Sequence, residues 1–493
     1  MSVPALRVDP MDDVLVALVD LDAGTVLEGA ITTSEAIPAK QKLATRCFDA
    51  GDDITMYGVV VGTATRTIPK GALLSTENVA HKAADYDGKQ NDESRWVAPP
   101  TGGWDMRTFD GYHRSDGKVG TTNHWIVVPL VFCESRNLEV LREALGRTLG
   151  YSQADPYSKL ATALVDAHNS GADADALRSI TAASETSPNR RAFKNVDGLK
   201  FLNHGLGCGG TREDARALCG LLAGYVNHPN VAGATVLSLG CQNAQVGLLE
   251  EELEKRAPNF EKPLLVFEQQ KSESERDMLN RAVTETFIGM AEADSMRRSP
   301  APLSKLTIGV ECGGSDGFSG ISANPVIGRC SDLIVALGGS VILSEFPELC
   351  GVEQSLCNRC VSSGHADRFA ALMKAYNARA EASGSGFKDN PSPGNIRDGL
   401  ITDAIKSAGA AKKGGSSPIT DVLDYPEPVT QPGLSLLCTP GNDVESTTAM
   451  AGAGANLLLF STGLGTPTGN AVAPTLKLST NTELADRLPD IID

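Results

Sequence analysis

Five short loops, each rich in glycine and polar side chains, hold most of the residues able to do chemistry. They are Asn203–Gly210 with His204, Gly207 and Cys208; Gly240–Asn243 with Cys241; Glu311–Gly317 with Cys312, Gly313, Gly314, Ser315 and Asp316; Cys438–Asp443; and Ser461–Gly469. Each follows an apolar run that reads as a strand. Strand ends are where ligands gather in α/β sheets, and glycine there lets backbone N–H groups approach an anion. One such loop alone would be an ordinary tight turn over a buried cysteine. Five in one chain point to an anion-binding crevice. Imidazole, thiol and carboxyl are metal ligands and proton carriers, and His204 shares its loop with Asn203 and Cys208, so a ligand or base role suits it as well as a structural one. The other histidines stand alone and read as surface or satisfied core residues.

Two further patterns carry less. Gly205-x-Gly207-x-x-Gly210 has the form of a dinucleotide fingerprint, but the next strand ends in Ser238-Leu239-Gly240 with no acid for a ribose. No phosphate-binding Gly-x-x-x-x-Gly-Lys-Ser/Thr loop is present, so no nucleotide cofactor is expected. Cys350, Cys357 and Cys360 have a spacing that would seat part of an iron–sulfur cluster, yet no fourth ligand is evident and buried thiols are the simpler reading.

The loops need strands to hold them. Apolar runs at 124–132, 198–202, 233–239, 263–267, 306–310, 340–344, 433–437 and 456–460 alternate with amphipathic windows, which predicts an α/β fold with mainly parallel sheets, in two lobes. One helix is expected to open at Thr211 with an acidic first turn and to bury Ala217, Leu218, Leu221, Leu222 and Tyr225. Ahead of these, Val14–Asn78 reads as a small β-rich module punctuated by glycine, and the polar, Pro/Gly-containing stretch after it reads as a linker. The expected division is a β-rich domain at 1–82, a linker at 83–106, a first α/β lobe at 107–385 and a C-terminal lobe at 386–493, the last break lying in the loop-rich stretch Ser383–Asp398.

Composition narrows the partners. With 44 Lys plus Arg against 61 Asp plus Glu, the formal charge is −17, which disfavours nucleic acid. No apolar run approaches a membrane span, and the N-terminus lacks the apolar core of a signal peptide, so no membrane association and a cytoplasmic location are expected. The 11 cysteines are an odd count, which suits free thiols. A small molecule is the expected partner, with self-association into a homo-oligomer left open.

Longer strings resemble a known family. Glu311-Cys-Gly-Gly-Ser-Asp-Gly-Phe-Ser-Gly-Ile-Ser-Ala-Asn-Pro325, Asn390-Pro-Ser-Pro-Gly-Asn395, Leu239-Gly-Cys-Gln-Asn-Ala-Gln-Val246, Ser344-Glu-Phe-Pro-Glu348 and Pro440-Gly-Asn-Asp443 are similar to the altronate/galactarate dehydratase family. The N-terminal module resembles that family's SAF-type domain, and Asp110–Thr121 the segment opening its catalytic part. The resemblance implies a hydro-lyase that removes water from a sugar acid to give a 2-keto-3-deoxy acid, assisted by a divalent metal, iron(II) first and manganese(II) second. Such a reaction abstracts a weakly acidic proton α to a carboxylate, so the enediolate must be stabilised while a base takes the proton and an acid helps the β-hydroxyl leave. The expected catalytic residues are His204, Glu311, Asp316 and Lys406. Metal ligands are expected among His204, Cys208 and Cys241. Substrate contacts are expected from Gly207, Gly313, Gly314, Ser315, Asn123 and Asn395, the glycines through their N–H groups.

The departures from the family pattern remove cations and proton carriers. Leu74-Ser-Thr-Glu-Asn78 lacks two histidines, Thr122 and Leu464 stand where arginines are usual, Ile396 replaces a lysine, and Ala404 stands near an acid position. Leucine cannot replace arginine's bidentate hold on a carboxylate. Two hypotheses follow: a divergent lyase on a related hydroxy acid, as in the family's sulfolactate branch, or a silent paralogue that binds a small acid or another subunit.

Overall fold

Apolar runs flanked by glycine loops and amphipathic helices build two parallel sheets. The computed structural model describes residues 3–93, 95–152, 156–182 and 190–493. The chain clusters into two compact units, one of Met1–Thr121, Gly220–Asn230 and Arg298–Asp493, the other of Thr122–Cys219 and Val231–Arg297.

The second unit carries β1 (His124–Pro129), β2 (Gly198–Phe201), β3 (Val231–Ser238) and β4 (Leu264–Glu268), all parallel, in the order β2-β1-β3-β4. Strands β1 and β3 are buried along their whole length, as near-continuous apolar runs in a parallel sheet require. Helix α1 (Arg212–Val226) starts where the sequence predicts. The Thr211 hydroxyl accepts from the Asp214 N–H at 3.0 Å and the Asp214 carboxylate accepts from the Thr211 N–H at 2.8 Å, a reciprocal cap.

The first unit opens with the β-rich module. Ala5–Leu6, Val14–Ala17, Lys42–Ala44 and Leu73–Leu74 form one antiparallel sheet, and Asp53–Met56, Val59–Ala64 and Val79–Ala80 another. Behind it stands a six-stranded, all-parallel sheet of β5 (Thr307–Cys312), β6 (Ser340–Leu343), β7 (Ile419–Leu423), β8 (Gly433–Leu437), β9 (Leu457–Thr462) and β10 (Thr475–Ser479), ordered β7-β8-β6-β5-β9-β10. Val16, Phe48 and Met56 of the module share one buried apolar cluster with Ile308, Val310, Val341 and Leu436 of the sheet.

Three expectations change. Strands β7 and β10 escape the sequence pattern, since both are short edge strands in which Asp421 and Lys477 interrupt the apolar run. Strands on either side of residue 385 pair with each other, β6 with β8 and β5 with β9, so the chain after 386 completes the sheet begun at Thr307. The expected linker has no helix or strand between Ala80 and Trp104 among its described residues, but it is tied down. The Gln90 and Asn91 N–H groups donate to Asn358 Oδ1 at 3.1 and 3.2 Å. No helix among the described residues is long and apolar enough to cross a membrane.

Candidate active site

The carboxyl ends of β5, β6, β8 and β9 converge on a buried cluster of ionisable groups. Glu311 and Cys312 end β5, Glu345 and Glu348 follow β6, and Asp443 opens α3 (Asp443–Gly452) after β8. Lys406 comes from α2 (Asp403–Ala411), and Lys413 from the turn after it. Lys413 is 1% exposed, and its Nζ lies 2.8 Å from Cys312 Sγ and 3.1 Å from Glu345 Oε2. Lys406 Nζ lies 2.8 Å from Glu348 Oε1, and the Cys312 thiol reaches Glu348 Oε2 at 3.4 Å. Ser446 donates to Glu311 Oε2 at 2.6 Å.

Burial raises the carboxyls and the lysines oppose it unevenly. Glu311 is pushed well above the usual carboxylate range by burial and by Glu345 beside it. Glu345 is pushed up to about 7 by burial and by Glu348. Burial works to raise Glu348 too, but Lys406 and Lys413 outweigh it and hold the carboxyl below its ordinary value. Lys413, despite full burial, is held charged by Cys312 and Glu345. Glu311 Oε1 and Glu345 Oε1 are both buried without a hydrogen-bond partner among the described residues. Two orphaned carboxylate oxygens side by side need a shared proton or a cation.

Donor atoms of Glu311, Glu345 and Asp443, and likewise of Cys312, Glu345 and Glu348, lie within 4.8 Å of one another. Oxygen-rich sets with one thiol suit a divalent first-row metal. The backbone supports the reading, because Glu345 sits at φ 63 and ψ 62, the left-handed region that side-chain-bearing residues avoid. Strain of this kind persists where the surroundings over-determine it, often at functional sites.

The sequence-derived candidates separate. His204, Cys208, Cys241, Gly207 and Asn123 belong to the second unit. Both His204 nitrogens are engaged, Nε2 donating to Pro129 O at 2.7 Å and Nδ1 accepting from the Leu206 N–H at 3.1 Å, so the ring has no lone pair for a metal. Cys208 and Cys241 are exposed, and no metal-sized group among the described residues includes either of them or His204. At Gly207 a Cβ would come 2.0 Å from Leu130 O, so this glycine is needed for close backbone approach. Asn123 is buried and ties its strand to Asn195 O and Ala293 O.

In the first unit, Glu311 and Lys406 stand in the cluster. Asp316 is fully buried and saturated: Ser319 and the Phe318 N–H bond Oδ1, while Thr480 and Lys40 bond Oδ2, each of the last two at 3.1 Å. It knots the loop and has no lone pair left for proton transfer. The Gly313 N–H is spent on Ser461 O, and a Cβ there would meet Asp443 Oδ2 at 2.1 Å; this glycine makes room for the aspartate and cannot offer its N–H to a substrate. Gly314 O accepts from the Gly463 N–H. Asn395 donates to Ser315 O at 2.8 Å, binding the Asn390–Asn395 motif to the β5 loop. Sequence reasoning passed over Glu345, Glu348, Lys413 and Asp443 as catalytic groups, although two quoted strings, Ser344–Glu348 and Pro440–Asp443, contain three of them.

Beside the cluster, Asp403 is buried, accepts from Asn390 Nδ2 at 2.9 Å, and leaves Oδ2 unbonded among the described residues. Burial pushes it up to about 7, against the Asn390 bond. A folded-state pKa above the unfolded value means stability that is complete below about pH 4 and is lost as pH climbs towards 7. We expect Asp403→Asn to flatten that slope and raise stability at pH 8 by up to about 3 kcal/mol, read by urea unfolding at pH 5 and 8. An unchanged slope would refute this. Cys350, Cys357 and Cys360 are all buried, the last two bonding Ala366 O and Leu356 O, as structural thiols do. A cavity of about 1140 Å³ lies between His81, Tyr86, Glu353 and Lys388; Cys350 lines it, but none of the cluster's carboxyls does.

Residues 3–82 match the altronate/galactarate dehydratase SAF domain, 111–294 the D-galactarate dehydratase/altronate hydrolase second domain, and 303–493 the D-galactarate/altronate dehydratase C-terminal domain. The chain belongs to the galactarate/altronate dehydratase family. It is 32% identical to the altronate dehydratase of Bacillus subtilis across 99% of this chain and 89% of that protein. It is 29% identical to the L-threo-forming galactarate dehydratase of Escherichia coli, over 99% of this chain and 87% of the relative. The (2R)-sulfolactate sulfo-lyase subunit beta of Chromohalobacter salexigens is 27% identical over 78% of this chain and 85% of its own length. For this dehydratase-family chain, the β-rich module is thus the SAF domain.

Proposed function

We propose that the chain is a hydro-lyase that removes water from a sugar acid of the altronate or galactarate kind, giving a 2-keto-3-deoxy acid. The observation that carries this reading is the buried set of four carboxyls, a thiol and lysines at the strand ends of a chain kin to dehydratases along its whole length.

A substrate enters at the strand ends, where Asn442 and Leu464 are exposed and Asp443 is half-buried. Asp443, raised by burial and by Glu348, is the carboxyl it meets first. One carboxylate of the cluster takes the proton α to the substrate carboxylate, while a protonated partner of the Glu311–Glu345 pair delivers a proton to the β-hydroxyl, which leaves as water; the enol then becomes the 2-keto acid. Lys406 and Lys413 remain charged and face the developing enediolate. Glu311, Glu345 and Asp443 would hold a divalent cation, iron(II) or manganese(II), with Cys312 and Glu348 as the other donor set. When bound, it supplies Lewis-acid stabilisation of the substrate oxygens. The silent-paralogue alternative is less well supported, since the altronate and galactarate dehydratases resemble this chain over 99% of its length.

The test is an anaerobic preparation loaded with iron(II) or manganese(II) and assayed on aldonates and aldarates for 2-keto-3-deoxy product. Glu311→Gln should lower kcat by about 10³-fold or more, and His204→Ala by less than about 10-fold. No turnover on any acid would overturn the reading.

A further inference from the structure

Lys477 is a buried cation that the cluster leaves without a partner. It lies on β10, where its N–H donates to Asp493 Oδ2 at 2.8 Å and its carbonyl accepts from the Asp493 N–H at 3.1 Å, fixing the main chain. The residue is 6% exposed, and no acceptor among the described residues reaches Nζ. In register, Lys477 pairs with Phe460 on β9, and Phe460 pairs with Glu311 on β5, so the three stand in one row across neighbouring strands. Row neighbours in a sheet project to the same face. Lys477 Nζ lies 3.2 Å from the centre of the Phe460 ring, within cation–π range. The electrostatic neighbours of the ammonium are Asp443, Glu311 and Asp493, none of which accepts a hydrogen bond from Nζ. Phe460 and Asp443 both press against Gly313, at 2.8 and 2.1 Å from where a Cβ on it would stand.

We propose that Lys477 is the substrate-carboxylate anchor of this site, holding one carboxylate of the sugar acid between Phe460 and Asp443. The proposal rests on the lyase reading for the identity of the acid. Charge counting agrees with it. With one proton on the Glu311–Glu345 pair, as the proton transfer requires, the four carboxyls contribute −3 against +3 from Lys406, Lys413 and Lys477; a divalent cation then leaves +2, a surplus that draws in an anionic substrate. A buried ammonium with three unused donors is costly unless an anion arrives, and a carboxylate satisfies two of them.

The experiment is calorimetric titration of the metal-loaded full chain with galactonate and galactarate, alongside turnover. Lys477→Met should weaken binding of both acids by about 30-fold, the loss of one charge-assisted contact, while Lys477→Arg keeps it within about 5-fold. KM should rise in step, and the thermal midpoint of Lys477→Met should not fall, because burying an ammonium with no hydrogen-bond partner among the described residues costs more than its cation–π contact returns. Binding by Lys477→Met within about 3-fold of the parent, or a fall in midpoint that Lys477→Arg shares, would overturn the anchor. Absent turnover in the parent with acid binding still dependent on Lys477 would remove the lyase reading and leave the anchor standing. Turnover indifferent to Lys477→Met would do the reverse.

Discussion

Exchange of Lys413 for methionine should lower the unfolding free energy by about 3–5 kcal/mol and reduce turnover below detection. Lys413 is among the most deeply buried cations of the described residues, and it touches both Cys312 and Glu345. Methionine fills similar volume, so packing is nearly conserved and the change isolates the charge. Without the ammonium, Glu345 and Glu348 face each other with Lys406 alone to offset them. They can escape by taking up protons, which shrinks the penalty at low pH. The destabilisation of Lys413→Met should therefore be larger at pH 8 than at pH 5. A double variant with Glu345→Gln removes one of the uncompensated charges and should recover at least about 1 kcal/mol relative to Lys413→Met alone, a positive coupling that a double-mutant cycle reads directly. Urea unfolding of the four proteins, without added metal, measures each corner. A Lys413→Met loss under 1 kcal/mol, or strict additivity with Glu345→Gln, would show that the cluster does not depend on this charge.

What the sequence discloses about this chain follows from the range of the interactions involved. Strand-to-glycine loops are local, so Glu311, Cys312, Gly313 and Asp316 stood out from their own neighbours. The cap at Thr211 was legible for the same reason. The partners of Cys312 were not, because Lys413 lies about a hundred positions away and reaches the thiol only after α2 packs beside the sheet. Lys477 was hidden by its edge strand, where a lysine between leucines reads as a solvated position. In Asp316 the fold reversed the expectation: a buried loop carboxylate looked reactive, yet Lys40 of the SAF domain and Thr480 occupy the very oxygens that chemistry would need. His204 likewise combined the right residue type with a loop that spends both nitrogens on its own backbone. Spacing identifies residue types able to react; only burial and unspent valences separate those that do.

Replacement of Glu345 by glycine should leave a protein that is inert yet more stable than its alanine counterpart, by about 1 kcal/mol. Glu345 is not glycine, but its φ is 63, in the left-handed region. A side chain there costs roughly 1–2 kcal/mol, and glycine avoids this while giving back about 0.5–1 kcal/mol through its freer unfolded chain. Both variants remove the same carboxylate, so their difference reports the backbone alone. The strain has an evident beneficiary. The Glu345 N–H is held by Thr439 Oγ1 at 2.9 Å and the Phe346 N–H by Thr439 O at 3.2 Å, which turns the chain sharply after β6 and brings donor atoms of Glu345 and Glu348 within 4.8 Å of each other and of Cys312 Sγ. An extended residue at this position would carry the two carboxyls apart. Glu345→Gln, which keeps the shape and loses the charge, should take up divalent metal at least about 10-fold more weakly than the parent and lose about 10³-fold in kcat, while Glu345→Gly does no better in either assay. Metal uptake by calorimetry and urea midpoints of the three variants decide the matter. If glycine is no more stable than alanine, the turn at Glu345 is not strained, and a stability cost accepted for the site cannot be the reason that a glutamate stands there.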